Sequence, residues 1–367
     1  MTITCTKEHL VRGLTIIEHA LGKNATLPIL EHVALRTQAG KLTLTATDLE
    51  IAATASIPAK VEGEDAWTVP ARILSGFVAS LPDGPVQMKK SGKTLSIKGK
   101  QLSGKLHLGS IDDFPIIPEL TEDVRKITFK TATLRTALEE VAVATATTES
   151  RPELNGISCI AEGVALTFAA TDTFRLAVRS IAYEDADSFS IILPTHGAQE
   201  FVRLFKDIES VTLFIGENQF VAEGGDIRFT SRLVEGSFPD YTAILPQENE
   251  AHIQVDRKTL LERLEAATYF TSRLNDVSLL TQGGKKLTIT AKNSDVGEYT
   301  TDIDGRDGEG DSEAAFNIRY LMDGIRSFSS EQITLEINGA QKPTVLRPEE
   351  KTERENDLYL VMPIRTA

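Results

Sequence analysis

The chain has 367 residues, 41% of them hydrophobic and 25% charged, with 39 Lys and Arg against 53 Asp and Glu for a formal net charge of −14. That length is too great for one hydrophobic core and suits two or three domains, while no apolar run is long enough to cross a bilayer, which excludes a helical membrane protein. The acidic balance excludes a protein that holds nucleic acid by surface charge alone. The amino terminus, Met1-Thr2-Ile3-Thr4-Cys5-Thr6-Lys7, lacks the apolar core of a signal peptide, so a cytoplasmic location and no membrane partner are expected. Cys5 and Cys159 fall in apolar strands and read as small buried hydrophobes rather than a disulfide or metal pair.

One pattern of strand, helix, strand and a small polar turn returns three times at intervals of roughly 120–125 residues, so the chain reads as one module copied three times, over 1–122, 123–248 and 249–367. The first module opens with the strand Thr2-Ile3-Thr4-Cys5, then a helix with Leu10, Leu14, Ile17 and Leu21 on one stripe and Thr6 as its N-cap. Alternation over Lys41–Ala46 predicts a half-buried strand that ends in a turn at Thr47-Asp48. A second strand, Trp67–Pro70, leads into a second helix carrying Ile73, Leu74, Phe77, Val78 and Leu81.

The second module repeats this with Lys126–Phe129, a helix bearing Leu134, Leu138 and Val141 capped by Thr131 or Thr133, a strand over Val164–Ala169, and a turn at Thr171-Asp172. It continues with Ile191–Pro194 before Phe201, Val202, Leu204 and Phe205. The third has His252–Val255, Asp256 as N-cap before Leu260, Leu264 and Ala267, a strand over Lys286–Ala291, and a turn at Lys292-Asn293. Phe316–Ile318 then precedes Leu321, Met322, Ile325 and Phe328. Six amphipathic helices against many short alternating strands predict an α+β fold, each module packing two helices on antiparallel sheets.

Little in the chain suggests an enzyme. Gly92-Lys93-Thr94 ends like a phosphate loop, but Gln87 stands where the first glycine is needed. The histidines at 9, 19, 32, 107, 196 and 252 are scattered without zinc-site spacing, and there is no Gly-x-Ser-x-Gly elbow. A scaffold of three repeated domains that binds no DNA is the other alternative, although it gives no reason for basic residues to recur on nearly every helix. These are Arg12, Arg135, Arg203 with Lys206 just beyond, Arg257, Lys258, Arg263 and Arg326.

Eight strings make the reading specific: Leu27-Pro28-Ile29-Leu30, Ala46-Thr47-Asp48-Leu49-Glu50, Val69-Pro70-Ala71-Arg72, Asp113-Phe114-Pro115, Leu154-Asn155-Gly156, Ala170-Thr171-Asp172 with Phe174-Arg175-Leu176-Ala177, Gly236-Ser237-Phe238-Pro239-Asp240-Tyr241, and Val361-Met362-Pro363-Ile364-Arg365. In this order, on this repeat, they resemble the β sliding clamp family of bacterial replicative polymerases over the whole chain. The resemblance implies a non-catalytic DNA processivity factor without metal or cofactor. It would form a head-to-tail homodimeric ring around double-stranded DNA, helices inside and sheets outside. Replicative polymerase, clamp loader and other proteins with clamp-binding motifs would be its partners.

The family's DNA-contacting loops correspond to Lys23-Asn24 and to the stretch ending in Arg151, with Arg72, Arg203 and Lys206 as further candidates. Its peptide pocket corresponds to Leu154, Thr171, Thr173, Phe174, Arg175, Leu176, Pro239, Ala243, Ile244, Val361, Met362, Pro363, Ile364 and Arg365. Here Thr173-Phe174 replaces a usual Gly-His pair and Ala243 a frequent basic residue, so an altered peptide preference is expected. Closure of the ring is expected where Lys105, Leu106 and Leu108, flanked by Phe77 and Leu81, meet Tyr269, Phe270 and Leu274 of a second copy.

Overall fold

The computed structural model describes residues 1–22, 27–120, 124–148, 150–183, 188–349 and 356–364, so Lys23, Asn24 and Arg365 lie outside the described residues. Six α-helices are found among the described residues: α1 Lys7–Ile17, α2 Ala71–Ser80, α3 Thr131–Ala142, α4 Thr195–Leu204, α5 Arg257–Ala267 and α6 Ile318–Ser327. Each starts directly after a strand, respectively Thr2–Thr6, Asp65–Pro70, Arg125–Lys130, Phe189–Pro194, Ala251–Asp256 and Ser312–Asn317.

Local chemistry sets several of these strand-to-helix switches. Thr6 Oγ1 accepts from His9 N at 3.2 Å, Asp256 Oδ1 from Thr259 N at 2.7 Å, and Asn317 Oδ1 from Arg319 N at 3.0 Å, each satisfying an amide the helix leaves unpaired. Thr131, expected as a possible cap, is instead the first residue of α3, and its buried hydroxyl has no partner among the described residues. Most of the predicted stripe residues are buried, among them Leu10, Leu14 and Ile17; Leu134, Leu138 and Val141; Leu260, Leu264 and Ala267, whereas Ile73 is 57% exposed, Phe77 and Val202 are half-buried, and Leu21 lies beyond the end of α1 and is half-buried. Each buried leucine contributes about 1.5–3 kcal/mol of apolar burial.

The chain divides into two compact units, residues 1–132 with 200–233 and residues 133–199 with 234–367. In the first, a five-stranded sheet runs Lys60–Val61, Thr2–Thr6, Pro85–Ser91, Thr94–Gly99, Leu102–His107. An eight-stranded sheet runs Arg125–Lys130, Ser210–Ile215, Gln219–Gly224, Ile227–Arg232, Ile51–Pro58, Lys41–Thr47, His32–Gln38, Asp65–Pro70. The second unit holds a nine-stranded sheet, Phe189–Pro194, Gly156–Glu162, Ala165–Thr171, Arg175–Ala182, Leu358–Val361, Thr344–Pro348, Gln332–Ile337, Ala251–Asp256, Arg306–Glu309. Its four-stranded sheet runs Gly297–Asp304, Lys286–Asn293, Asp276–Gln282, Ser312–Asn317.

The two large sheets thus run across the repeat borders instead of stopping at them. In the first unit Ile51–Ala55 pairs antiparallel with Ile227–Ser231, and in the second Arg175–Val178 pairs with Leu358–Val361. In both, the strand after a polar turn receives the last strand of the next module. The corresponding two remaining strands, Gly297–Asp304 and Leu102–His107, stand at sheet edges.

Candidate functional site

The turn Thr171–Arg175 is made by two side chains. Thr171 Oγ1 donates to Arg175 O at 2.7 Å and accepts from Thr173 N at 3.1 Å, while Asp172 Oδ1 accepts from Phe174 N at 2.9 Å and Arg175 N at 3.0 Å. These bonds hold Thr173 in the left-handed region at φ 77°, a conformation that costs a β-branched residue about 1–2 kcal/mol. They also push Phe174 outward, leaving it 59% exposed. Met362 N donates to Phe174 O at 2.8 Å and Ile364 N to Ala315 O at 2.7 Å, which brings the C-terminal segment beside the turn.

Behind the turn lies an apolar floor of Ala169, Leu176, Val178, Val345, Leu358 and Leu360, against which Phe238, Tyr241, Leu245 and Met362 pack while staying partly exposed. Phe238 and Tyr241 meet edge to face with ring centroids 6.5 Å apart. Of the residues expected to wall a pocket, Thr173, Phe174, Arg175, Pro239, Ala243, Ile244, Met362, Pro363 and Ile364 are at least partly accessible. Leu154, Leu176 and Val361 are not walls: at 2%, 0% and 0% exposure they belong to the core, and buried Thr171 spends its hydroxyl inside the turn. Phe238, Tyr241, Leu245 and Tyr320 are not among the expected wall residues. The signal for the first two was present in the Gly-Ser-Phe-Pro-Asp-Tyr string, but nothing in the sequence brings Tyr320 near.

Arg175 anchors the site. Its Nε donates to Asp172 Oδ2 at 2.9 Å, its Nη1 to Asp323 Oδ2 at 2.6 Å, and its guanidinium lies over the Tyr320 ring at 4.3 Å. Burial opposes its charge but is outweighed by the Tyr359 hydroxyl and the two carboxylates, so its pKa is raised. Asp240 is held below the usual carboxylate range by the Thr242 hydroxyl and amide, and is therefore ionised at the rim.

The first unit contains the same backbone frame with another face. Thr47 Oγ1 donates to Ile51 O at 2.7 Å and accepts from Leu49 N at 3.1 Å, Asp48 Oδ1 accepts from Glu50 N at 2.9 Å and Ile51 N at 2.8 Å, Leu49 has φ 82°, and Arg232 N donates to Glu50 O at 2.9 Å. Strand registers place Thr45, Thr54 and Arg228 where the second unit has Ala169, Val178 and Leu358, and Ala52 and Thr230 where it has Leu176 and Leu360. Threonines and an arginine cannot form an apolar floor, so frame alone does not make the pocket. In the third copy of the turn the corresponding pair is Lys292 and Glu298, bridged at 2.8 Å.

Basic residues expected to face nucleic acid are largely engaged. Arg203 Nε pairs with Glu200 at 2.7 Å and its Nη2 donates to Ile16 O at 3.2 Å, so it braces its own unit and is a poorer phosphate ligand than expected. Arg151 is half exposed and 3.0 Å from Glu153, Arg135 pairs with Glu139 and Arg326 with Glu265, whereas Arg72 is exposed and Lys206 reaches outward 4.0 Å from Asp207. Even so, the six helices carry ten Lys and Arg against seven Asp and Glu, net +3, in a chain whose net charge is −14. The negative charge therefore sits on strands and loops.

The edge residues are mixed. Tyr269 and Leu274 are 79% and 67% exposed, and Phe270 stacks on Tyr299 at 5.7 Å. Lys105 is exposed, Leu106 and Leu108 are half-buried, and Phe77 lies over Gly104, where a Cβ would come within 2.9 Å of its ring. Leu81, expected at the interface, is 1% exposed and packs against Gly99 in its own core.

Three family models match in succession: the N-terminal domain of the DNA polymerase III beta subunit over residues 1–118, its central domain over 128–240, and its C-terminal domain over 242–365. The chain belongs to the DNA polymerase III beta subunit family. A beta sliding clamp of Synechocystis is 30% identical over all of this chain and 99% of that one, and a clamp of Staphylococcus aureus is 26% identical over the full length of both. The DNA polymerase III beta subunit of Pseudomonas aeruginosa superposes with a TM-score of 0.93 at 26% identity, covering both chains fully. The Bacillus subtilis clamp has the same fold, with a TM-score of 0.95 at 24% identity and full coverage of both. The α+β architecture of three clamp domains is therefore that of the family, and no described helix is long and apolar enough to cross a membrane.

Proposed function

We propose that this chain is a cytoplasmic DNA polymerase sliding clamp, a homodimeric ring that encircles duplex DNA and tethers replicative polymerase, clamp loader and other partners through the pocket around Phe174 and Met362. Modules over 1–122, 123–248 and 249–367 suit the threefold repeat. The clamp acts by topology and needs neither a catalytic group nor a cofactor. The observation that carries this reading, beyond family membership, is the contrast between net-positive helices and a strongly acidic remainder. A lumen lined by weakly basic helices retains duplex without braking it, and acidic outer sheets discourage unthreaded DNA. Arg72, Arg151 and Lys206, with Lys23 and Asn24, are the preferred contacts.

Internal symmetry supplies a register for closing the ring. If the edge strand Gly297–Asp304 receives Leu102–His107 of a second copy as its two counterparts receive theirs, Leu106 meets Gly297, Lys105 meets Glu298 and Gly104 meets Tyr299. Lys105 would then extend the Lys292–Glu298 bridge on one face, while Phe77 approaches the Phe270–Tyr299 stack on the other. The joint is heterologous and closes because two copies return to the start.

Retention on DNA tests the reading. Protein loaded on closed circular DNA should survive moderate salt and slip from the same DNA once linearised, because threading is insensitive to screening and phosphate contacts are not. Equal release from both forms would exclude encirclement.

A further inference from the structure

Helix α6 holds both halves of the pocket. Asp323 Oδ2 takes the Arg175 Nη1 proton bond at 2.6 Å, and Tyr320, one turn before it, lies under the same guanidinium at 4.3 Å. The Tyr320 carbonyl accepts from the Tyr359 hydroxyl at 2.9 Å, and Tyr359 is fully buried in the strand that runs on into Met362. Gly324 completes the fit, since a Cβ there would come within 2.3 Å of the Tyr359 ring. The turn bearing Phe174 and the segment bearing Met362 are thus each tied to neighbouring residues of one helix.

We propose that Asp323 is a positioning residue for peptide docking: it fixes Arg175, and through Arg175 the outward set of Phe174 relative to Met362. This rests on the peptide-pocket reading above. Arg175 has a 13% exposed side chain and two carboxylate partners, so its role is to hold the turn, and its charge is already satisfied before any ligand arrives. Asp172 is made by the turn's own sequence, whereas Asp323 comes from 148 residues away and is what ties the turn to α6. Loss of Asp323 removes the guanidinium's charged tie to α6 and leaves it with the local Asp172 carboxylate, the Tyr320 ring and the Tyr359 hydroxyl, which fix its direction less tightly.

The test uses the full-length protein and a short fluorescein-labelled peptide with leucine and phenylalanine anchors, titrated by anisotropy. Asp323→Asn should weaken binding on the order of tenfold, the scale of one charge-assisted hydrogen bond. Asp323→Glu, which can still reach the guanidinium, should recover most of it. In an Arg175→Gln background Asp323→Asn should change the affinity by less than about twofold, because the partner it acts through is gone. Equal loss in both backgrounds would mean that Asp323 only stabilises α6, and unchanged binding by Asp323→Asn in the wild-type background would remove its role altogether. A wild-type chain that bound no such peptide would instead overturn the pocket itself.

Discussion

Reversing charge at the proposed closing joint gives the sharpest test of its register. Glu298 is 54% exposed and already paired with Lys292 at 2.8 Å, so a third charge from Lys105 of a second copy would add only a surface-type interaction, about 0.2–1 kcal/mol. Lys105→Glu replaces that attraction by a repulsion of similar size and should cost about 0.4–2 kcal/mol per joint. A ring of two chains loses both joints together on dissociation, so the dimer constant should weaken by about 0.8–4 kcal/mol, roughly 4- to 1,000-fold. Glu298→Lys should do the same, and a chain carrying both changes should regain most of the affinity because the pair is restored with opposite polarity. Sedimentation velocity over a concentration series reads the monomer–dimer equilibrium directly, and rising salt should shrink the differences among variants. Dimers unmoved by either single reversal, or a double variant no better than the singles, would refute the register carried over from the two internal joints.

Three other variants have definite expected outcomes. Removing residues 362–367 should leave the dimer intact and abolish peptide binding, since the Met362 contact with the floor is lost while Val361 keeps its place in the core; Phe174→His should change peptide preference by about 1 kcal/mol without abolishing binding, both read by anisotropy titration. Asp256→Ala should lower stability by about 1 kcal/mol at neutral pH through loss of the α5 cap. The Thr259 hydroxyl and amide depress the Asp256 pKa, so its stabilisation is complete above the unfolded carboxylate value of about 4 and is lost as pH falls through the lower folded value; thermal melts of wild type and variant should converge there.

The elements most legible in the sequence were those whose cause is local. Thr6 and Asp256 cap their helices because a side-chain oxygen sits within three residues of the amide it serves, and the stripes through Leu10 and Leu260 follow from helical spacing alone. Asp48 and Asp172 make the same turn for the same reason. What depended on distant partners was less legible. Nothing near Arg175 points to Asp323 or Tyr320, and nothing near Ile51 points to Ser231. Leu154, Leu176 and Leu81 share the apolar character of a binding surface and of a core, and only three-dimensional neighbours assign them to the core. Arg203 reads as a phosphate ligand because its bond to the Ile16 carbonyl is visible only in the fold, although Glu200, three residues earlier on the same helix, is a local partner the sequence already offers.

The Thr-Asp turn bears on how far such a chain can drift. Its bonds run from two short side chains to main-chain groups, so they specify where the backbone goes; beyond an amide they demand a left-handed backbone of Leu49 and Thr173 and nothing of Glu50 or Phe174. Outward residues can therefore be exchanged freely without moving the strands behind them. That is one physical route by which two chains only 24% identical can superpose with a TM-score of 0.95, and by which a replication protein can renew its vocabulary of partners while its architecture stays still.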